Sequence, residues 1–335
     1  MTQRDDRADE GQLNHNKEDK KVSILDEVRI ACAQTCSESR RVLIERDKIE
    51  SYALSLSAHS LSNMEWDATH HYRGEPHETL AYVITLDAIN FGSGYFPHLN
   101  KEGSSSGYFT IASKLKLHFD KNGPFTPKQL SSMNAADCAC ILGQEGGDED
   151  CQELMGLFAE SLRQLGEFIL HRFNGEFENL VKAADRSAIK LITSLIDMPS
   201  FFDVRTYHGF EVPFYKRAQI MASDLSLALN DQGLGYFSDL DSLTCFADNL
   251  VPHVLRKDGI LTYELPLLEK IERGELLQAN SEEEVEIRAA AVHCVELIVA
   301  ALREYGEQAS SRQIDYLLWN RGQGGSYKNS PRVIE

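Results

Sequence analysis

Four carboxylates in this chain, Asp87, Asp224, Asp248 and Asp315, stand in apolar or aromatic stretches rather than in polar ones. Taking a charge out of water is costly unless a cation, a hydrogen-bond donor or a ligand compensates it. Any one of them is explained by a helix cap or an ion pair. Together with the adjacent cations Lys216 and Arg217, they mark a candidate site. The densest segment runs from Val212 to Leu255. It opens with the apolar and aromatic run Val212 to Tyr215, passes Lys216-Arg217, and keeps helical spacing of apolar residues from Ala218 to Leu229 before reaching Phe246-Ala247-Asp248. Two readings of the cation pair stay open: it holds a phosphate, or it is scaffold, for instance bridging to Asp224. Far upstream, Trp66-Asp67-Ala68-Thr69-His70-His71-Tyr72 mixes polar and aromatic residues. One histidine of that pair is placed to face a ligand, against the plainer reading of a histidine at the surface or core edge.

Several chemistries are excluded. The chain has no GxxxxGK[ST] loop, no GxGxxG after a strand, no HExxH and no GxSxG. Gly233-Leu234-Gly235 lacks the strand–turn–helix setting of a dinucleotide site and reads as a turn. The seven cysteines, at 32, 36, 138, 140, 151, 245 and 294, have no zinc spacing and are expected to be reduced and mostly buried. No cofactor or metal is implied. A net charge of −18 argues against binding nucleic acid, which requires a Lys/Arg surface, but leaves room for a local cationic pocket around one phosphate.

The elements that must position these residues are mainly helices. Ile24, Val28, Ile30, Ala31 and Cys32 suggest one apolar helix face, and Lys48 to Leu61 another helix. Glu78 to Ile89 is strongly apolar and runs into Asn90-Phe91-Gly92-Ser93-Gly94-Tyr95-Phe96, a pocket-lining loop. Gly107 to Ile111 fits a short strand, and Tyr108 to Leu117 a helix. Thr126-Pro127 starts a helix that continues over Leu130 to Leu142 and stops at Gly143. The acidic stretch 143–150 reads as an exposed loop. Residues 151–173 form an amphipathic helix with Leu154, Phe158, Leu162, Leu165, Phe168 and Ile169 on one face. Phe177 to Ile196 reads as a single further helix, Leu265 to Leu277 as another. The run 282–305 is apolar nearly all round and should be central. At 335 residues, with 42% apolar and 26% charged residues, the chain is expected to be one mostly α-helical domain, of one body or two close lobes, with a few short strands. Residues 1–21 carry eleven charged residues, no aromatic and one leucine, and are expected to be a disordered leader. The helical domain should cover 22–322 and a polar tail 323–335. With no apolar run of about 18 residues and no signal-peptide core, a cytosolic or nuclear protein without membrane contact is expected.

Several separated motifs agree with one family. FYKRAQIMASDL (214–225), FADNLVPHVL (246–255), EVEIRAAAVHCVELI (284–298) and DYLLWN (315–320) resemble, in order and spacing, the queuosine salvage family, the queuosine 5'-phosphate N-glycosylases. So do WDATHH (66–71) and LDAINFGSGYFP (86–97), and the likeness spans residues from about 25 to 320. The resemblance implies a fold like that of helix-hairpin-helix DNA glycosylases. It also implies hydrolysis of the N-glycosidic bond of queuosine 5'-monophosphate, which releases queuine for reinsertion into tRNA. Asp248 is then the catalytic carboxylate, as nucleophile or as stabiliser of the sugar cation. His70, Phe246, Asp315 and Tyr316 match substrate-contacting positions. Asn320 stands where many relatives have aspartate, which leaves one hydrogen bond to base or sugar altered. On this reading Lys216, Arg217 and His70 hold the 5'-phosphate, Phe246, Tyr316 and Trp319 stack on the base, and Asp315 accepts from an amine or the cyclopentenediol arm. The rival expectation is a non-catalytic queuosine- or queuine-binding protein.

Overall fold

Helix-forming sequence dominates, and a computed structural model describes residues 22–56, 61, 64–101, 103 and 106–328. The expected leader 1–21 lies outside the described residues. The chain starts with α1 (Ile24–Glu38), β1 (Val42–Ile44) and α2 (Arg46–Ser55), then α3 (Pro76–Ala88) and α4 (Gly107–Asn122). Next come α5 (Pro127–Ser131), α6 (Ala135–Leu142), α7 (Glu149–Arg172), α8 (Phe177–Ala183) and α9 (Ala188–Leu195). A hairpin of β2 (Val204–Tyr207) and β3 (Phe210–Pro213) leads into α10 (Lys216–Ala228). The order closes with α11 (Leu250–Lys257), β4 (Leu261–Tyr263), α12 (Leu265–Glu272), α13 (Glu282–Glu304), α14 (Ser311–Gly322) and α15 (Gly325–Lys328).

Helix α13 takes the central place its apolar sequence demands. From Val285 to Val292 every side chain is buried, and the helix packs against α1, α2, α11 and α14. Ser281 caps it by accepting from the Glu284 N–H, and acids at 282–284 meet the positive end of its dipole. A second layer forms where α7 packs against α5 and α6. All six apolar residues expected on the inner face of α7 are buried. Gly166 makes this possible: a Cβ there would come within 2.4 Å of the Ser131 backbone nitrogen on α5.

Both sheets are two-stranded and antiparallel, β1 with β4 and β2 with β3. The β2–β3 turn puts His208 and Gly209 at φ of 46° and 89°, as a tight hairpin needs.

The structure corrects several element boundaries. Gly107 to Ile111 is the start of α4, not a strand, because Ser106 caps a helix through the Phe109 N–H. The expected helix over 127–142 is two, since Asn134 accepts from the N–H groups of Ala136 and Asp137 and begins α6 afresh. The expected helix over 177–196 also splits, at Asp185 and Arg186, which take φ of 50° and 60°. Ile30 is 59% exposed, because a residue two places after Val28 cannot share its face. Within the acidic loop Gln144 is buried and accepts from the Asn100 N–H at 2.8 Å. Part of the expected polar tail is folded: α15 is tied down by Tyr327, whose hydroxyl reaches Asp258 and whose carbonyl lies 3.0 Å from His253 Nε2. The cysteines are free thiols, five of them buried, with Cys138 inside and Cys140 outside on α6. No helix among the described residues is long and apolar enough to cross a membrane.

Candidate active site

The densest segment of the sequence becomes the wall of a cavity of about 530 Å³, a size that suits a small organic ligand. Helix α10 gives it one face, through Lys216, Arg217, Ile220, Ser223, Asp224 and Leu227. These positions recur at helical spacing and so look the same way. Helix α14 supplies Asp315, Tyr316, Trp319 and Asn320 by the same rule. The Phe246–Leu250 turn, the 64–67 segment with His71, and Tyr108 and Phe109 of α4 complete the wall.

Asp248 sits at the N-terminus of α11. Its Oδ1 accepts from the backbone N–H groups of Leu250 (3.0 Å) and Val251 (2.9 Å), which fixes the carboxyl. Its Oδ2 has no hydrogen bond among the described residues, and the residue lines the cavity. The turn that aims it is strained, because Ala247 takes φ 54°. An alanine in this left-handed region costs about 1–2 kcal/mol. Arg288 holds it there by donating Nε to the Ala247 carbonyl at 3.1 Å. The same guanidinium clamps Asp203 at 2.6 and 3.0 Å, reaches Glu284 at 3.2 Å, and lies over the Phe214 ring at 4.0 Å. Burial would push Asp203 up, but Arg288, then Arg205 and the Lys216 N–H, hold it well below the usual carboxylate range. Gln219 of α10 closes the scaffold. Buried, it accepts from the Thr244 N–H at 2.9 Å and donates to the Phe214 carbonyl at 2.8 Å.

Asp315 lies behind this turn, 3% exposed. One oxygen accepts from the Phe246 N–H at 2.9 Å and from Cys245 Sγ at 3.1 Å. The Cys245 thiol stays protonated to make that bond, since burial and then Asp315 raise it. Burial first, and the nearby charge of Asp248 second, push Asp315 up to about 7. Phe246, Asp248, Asp315, Tyr316 and Asn320 thus meet at one cavity. Tyr316 is positioned by its hydroxyl, which donates to the Glu65 carbonyl at 3.1 Å, while Asn320 Nδ2 donates to the Tyr316 carbonyl at 2.9 Å. Trp319 stands edge-on to Tyr108 and Phe109, with centroids 5.7 and 5.8 Å away.

His70 is not brought to the cavity wall. Its Nδ1 lies 2.6 Å from Asp67 Oδ2, and its ring packs against Phe109 at 4.3 Å, tilted by 31°. The histidine of the pair that lines the cavity is His71. His71 Nδ1 faces the Asp67 carbonyl at 2.9 Å, so that nitrogen carries the proton, and Nε2 accepts from the Tyr108 hydroxyl at 2.8 Å. Burial holds its pKa below the ordinary value, consistent with a neutral ring.

Lys216 and Arg217 part company. Neither pairs with Asp224. Arg217 donates to the Ala88 carbonyl at 2.7 Å and is held between the Phe91 and Phe201 rings, at 4.5 and 5.1 Å. Lys216 uses its backbone N–H on Asp203 at 3.1 Å, and its ammonium has no ion pair among the described residues. Around the α10 N-terminus the wall holds Lys216, Arg217, Arg205 and Arg288 against Asp203 and Glu284, a surplus of two positive charges. Asp203, Arg205 and Arg288 did not stand out in the sequence as site residues. The one available signal was Arg288, a lone cation amid the apolar residues of α13.

The sequence is similar to known proteins along most of its length. The sequence model of the family described as Queuosine salvage protein matches residues 70–333. A protein of Sphaerobacter thermophilus named queuosine 5'-phosphate N-glycosylase/hydrolase is 37% identical over 292 residues, covering 85% of this chain and 89% of the relative. Proteins of the same name from Bos taurus and Dictyostelium discoideum are 33% and 35% identical, over 76% and 73% of this chain and 80% and 73% of their own lengths.

Proposed function

The chain belongs to the queuosine salvage protein family, and we propose that it hydrolyses the N-glycosidic bond of queuosine 5'-phosphate to release queuine. The observation that carries the reading is Asp248: it lines the cavity, one carboxylate oxygen is fixed by two backbone N–H groups, and the other makes no hydrogen bond among the described residues. Breaking the bond from C1' to the base sends its electron pair to the base nitrogen and leaves positive charge on the ribose. A fixed carboxylate beside that carbon stabilises the charge as it develops, and needs no reorganisation to do so. Water then adds its hydroxyl at C1' and its proton goes to the base nitrogen, giving ribose 5-phosphate and the free base.

The other residues take roles that their surroundings support. Phe246, Tyr316 and Trp319 form a slot for the flat base. Asp315, tied to the Phe246 N–H, offers its second oxygen to the amine groups of the base. Asn320 extends the same helix face and can donate as well as accept. The cationic surplus at the α10 N-terminus receives the 5'-phosphate. There Lys216 is the mobile charge, and Arg217 contributes mainly structure. A net charge of −18 is compatible with this, because a mononucleotide needs only a local cationic patch. Nucleic acid is not expected as a partner, and a binding assay with duplex DNA at low salt tests that. The likeness to helix-hairpin-helix DNA glycosylases belongs to the same proposal. It is supported by the helical make-up and by a carboxylate set at a helix N-terminus, and superposition on such enzymes tests it.

A protein that only carried the base would need the aromatic slot but not a strained turn aiming a carboxylate. The experiment is direct: purified protein is incubated with queuosine 5'-phosphate and the products are separated by chromatography. Free queuine is expected; binding without cleavage would leave the carrier reading.

A further inference from the structure

The chemistry above leaves a second pair of carboxylates unused. Asp87 on α3 is completely buried, and neither of its oxygens makes a hydrogen bond of good geometry among the described residues, although the Asn90 side chain lies near enough to lower its pKa. Asp224 lies against it from α10, which packs on α3, and lines the cavity. It too has no hydrogen bond or ion pair to any described residue. Burial raises Asp224 to about 7, and burial followed by Asp224 raises Asp87 well above its ordinary value. Arg312 lowers Asp224 and Arg217 lowers Asp87 through their charges, but their hydrogen bonds go to other groups. Arg312 gives Nε to Ser223 Oγ at 2.8 Å, and Arg217 gives Nη1 to the Ala88 carbonyl. Two adjacent carboxylates held here without an ion pair among the described residues are costly to ionise together, and a positive charge brought by a ligand would offset that cost.

Their position follows from the helix. Lys216 and Asp224 are eight residues apart on α10, about 12 Å of rise, and both face the cavity. The cavity is therefore cationic at one end of α10 and acidic two turns further on. A nucleotide whose base carries an alkylamine has the matching polarity, with an anionic phosphate and an ammonium that is charged at neutral pH. Queuosine is such a nucleoside, since its 7-deazaguanine bears a secondary amine that links it to a cyclopentenediol.

We propose that Asp224, backed by Asp87, is the subsite for the cationic amine arm of the base and selects bases that carry it. This rests on the substrate class proposed above. It adds a specificity residue, distinct from Asp248 and Asp315.

The test compares wild type and Asp224→Asn on queuosine 5'-phosphate and on 7-cyano-7-deazaguanosine 5'-phosphate, which has no cation. The variant should lose at least roughly tenfold in kcat/KM on the cationic substrate and no more than about threefold on the neutral one. Equal losses on both, or none, would overturn the assignment. A second measurement does not depend on the variant folding. Calorimetry on wild type should find queuine and 7-aminomethyl-7-deazaguanine at least roughly tenfold tighter than 7-cyano-7-deazaguanine. Equal affinities would overturn the assignment even if no hydrolysis occurs, whereas a preference for the cations without hydrolysis would refute only the catalytic reading.

Discussion

Replacing Asp315 by asparagine should change how stability depends on pH, in a way the structure lets one calculate. The buried carboxyl titrates near 7 instead of its ordinary 3.8, so the native state keeps its proton after the unfolded chain has lost it. Stability from this group is full below the ordinary carboxylate value and falls as pH rises toward 7. Complete ionisation costs on the order of 4 kcal/mol, of which more than half is lost between pH 5 and pH 8. Asparagine keeps the shape, and its carbonyl can still accept from the Phe246 N–H, but it has nothing to ionise. Relative to wild type, the variant should gain about 2–3 kcal/mol over that interval, or a Tm difference of about 3–4 °C for a chain of this size. Differential scanning calorimetry at pH 5 and pH 8, without ligand, reads it. A Tm difference that stays constant with pH, or moves the other way, would refute the reasoning. Asp248 is the second cause of the raised value. In an Asp248→Asn background the pH-dependent gain should therefore shrink, because the neighbouring charge that helps raise Asp315 is gone.

Other substitutions separate recognition from scaffold. Lys216→Ala should weaken binding of the 5'-phosphate form by roughly 10–100-fold while changing that of the nucleoside by no more than about threefold, as loss of a charge-assisted bond requires; calorimetry with both ligands checks it. Arg217→Ala should instead act mainly on stability, losing about 2–4 kcal/mol in urea titration through its carbonyl bond and two aromatic faces. Its affinity for nucleotide and nucleoside should fall together. Arg288→Met removes the bidentate partner of Asp203, leaving it Arg205 at 3.4 Å and the Lys216 N–H, and should cost up to about 3–5 kcal/mol. Adding Asp203→Leu should restore stability, measured by Tm, without restoring turnover, because nothing then holds the Ala247 carbonyl.

Periodicity was a good guide where one face meets one layer. The six apolar positions of α7 and the all-round apolar run of α13 predicted both burial and centrality. It failed where side chains compete with the helix. Asn134 begins a new helix, and Asp185-Arg186 turns the backbone left-handed, although apolar residues continue on both sides. In the site, the positions that the family motifs single out on α14 and in the Phe246–Asp248 turn converge on the cavity. His70 and His71 could not be told apart by sequence, since neighbouring residues in a turn point to different sides. Here a backbone carbonyl and Tyr108 orient the second of the two. The scaffold was the least legible part. Asp203 and Arg288 are 85 residues apart, and only the packing of α13 against β2 brings that ion pair under the strained alanine.

The account turns on Asp248 as the group that meets the charge developing on the sugar. The most direct measurement is queuine release from queuosine 5'-phosphate by wild type and by Asp248→Asn, with nucleotide affinity of the variant measured by calorimetry on the same preparation. Wild type should produce queuine and ribose 5-phosphate in equal amounts, while the variant binds the nucleotide and turns over at least roughly a hundredfold more slowly. An Asp248→Asn protein that releases queuine at the wild-type rate would contradict the account.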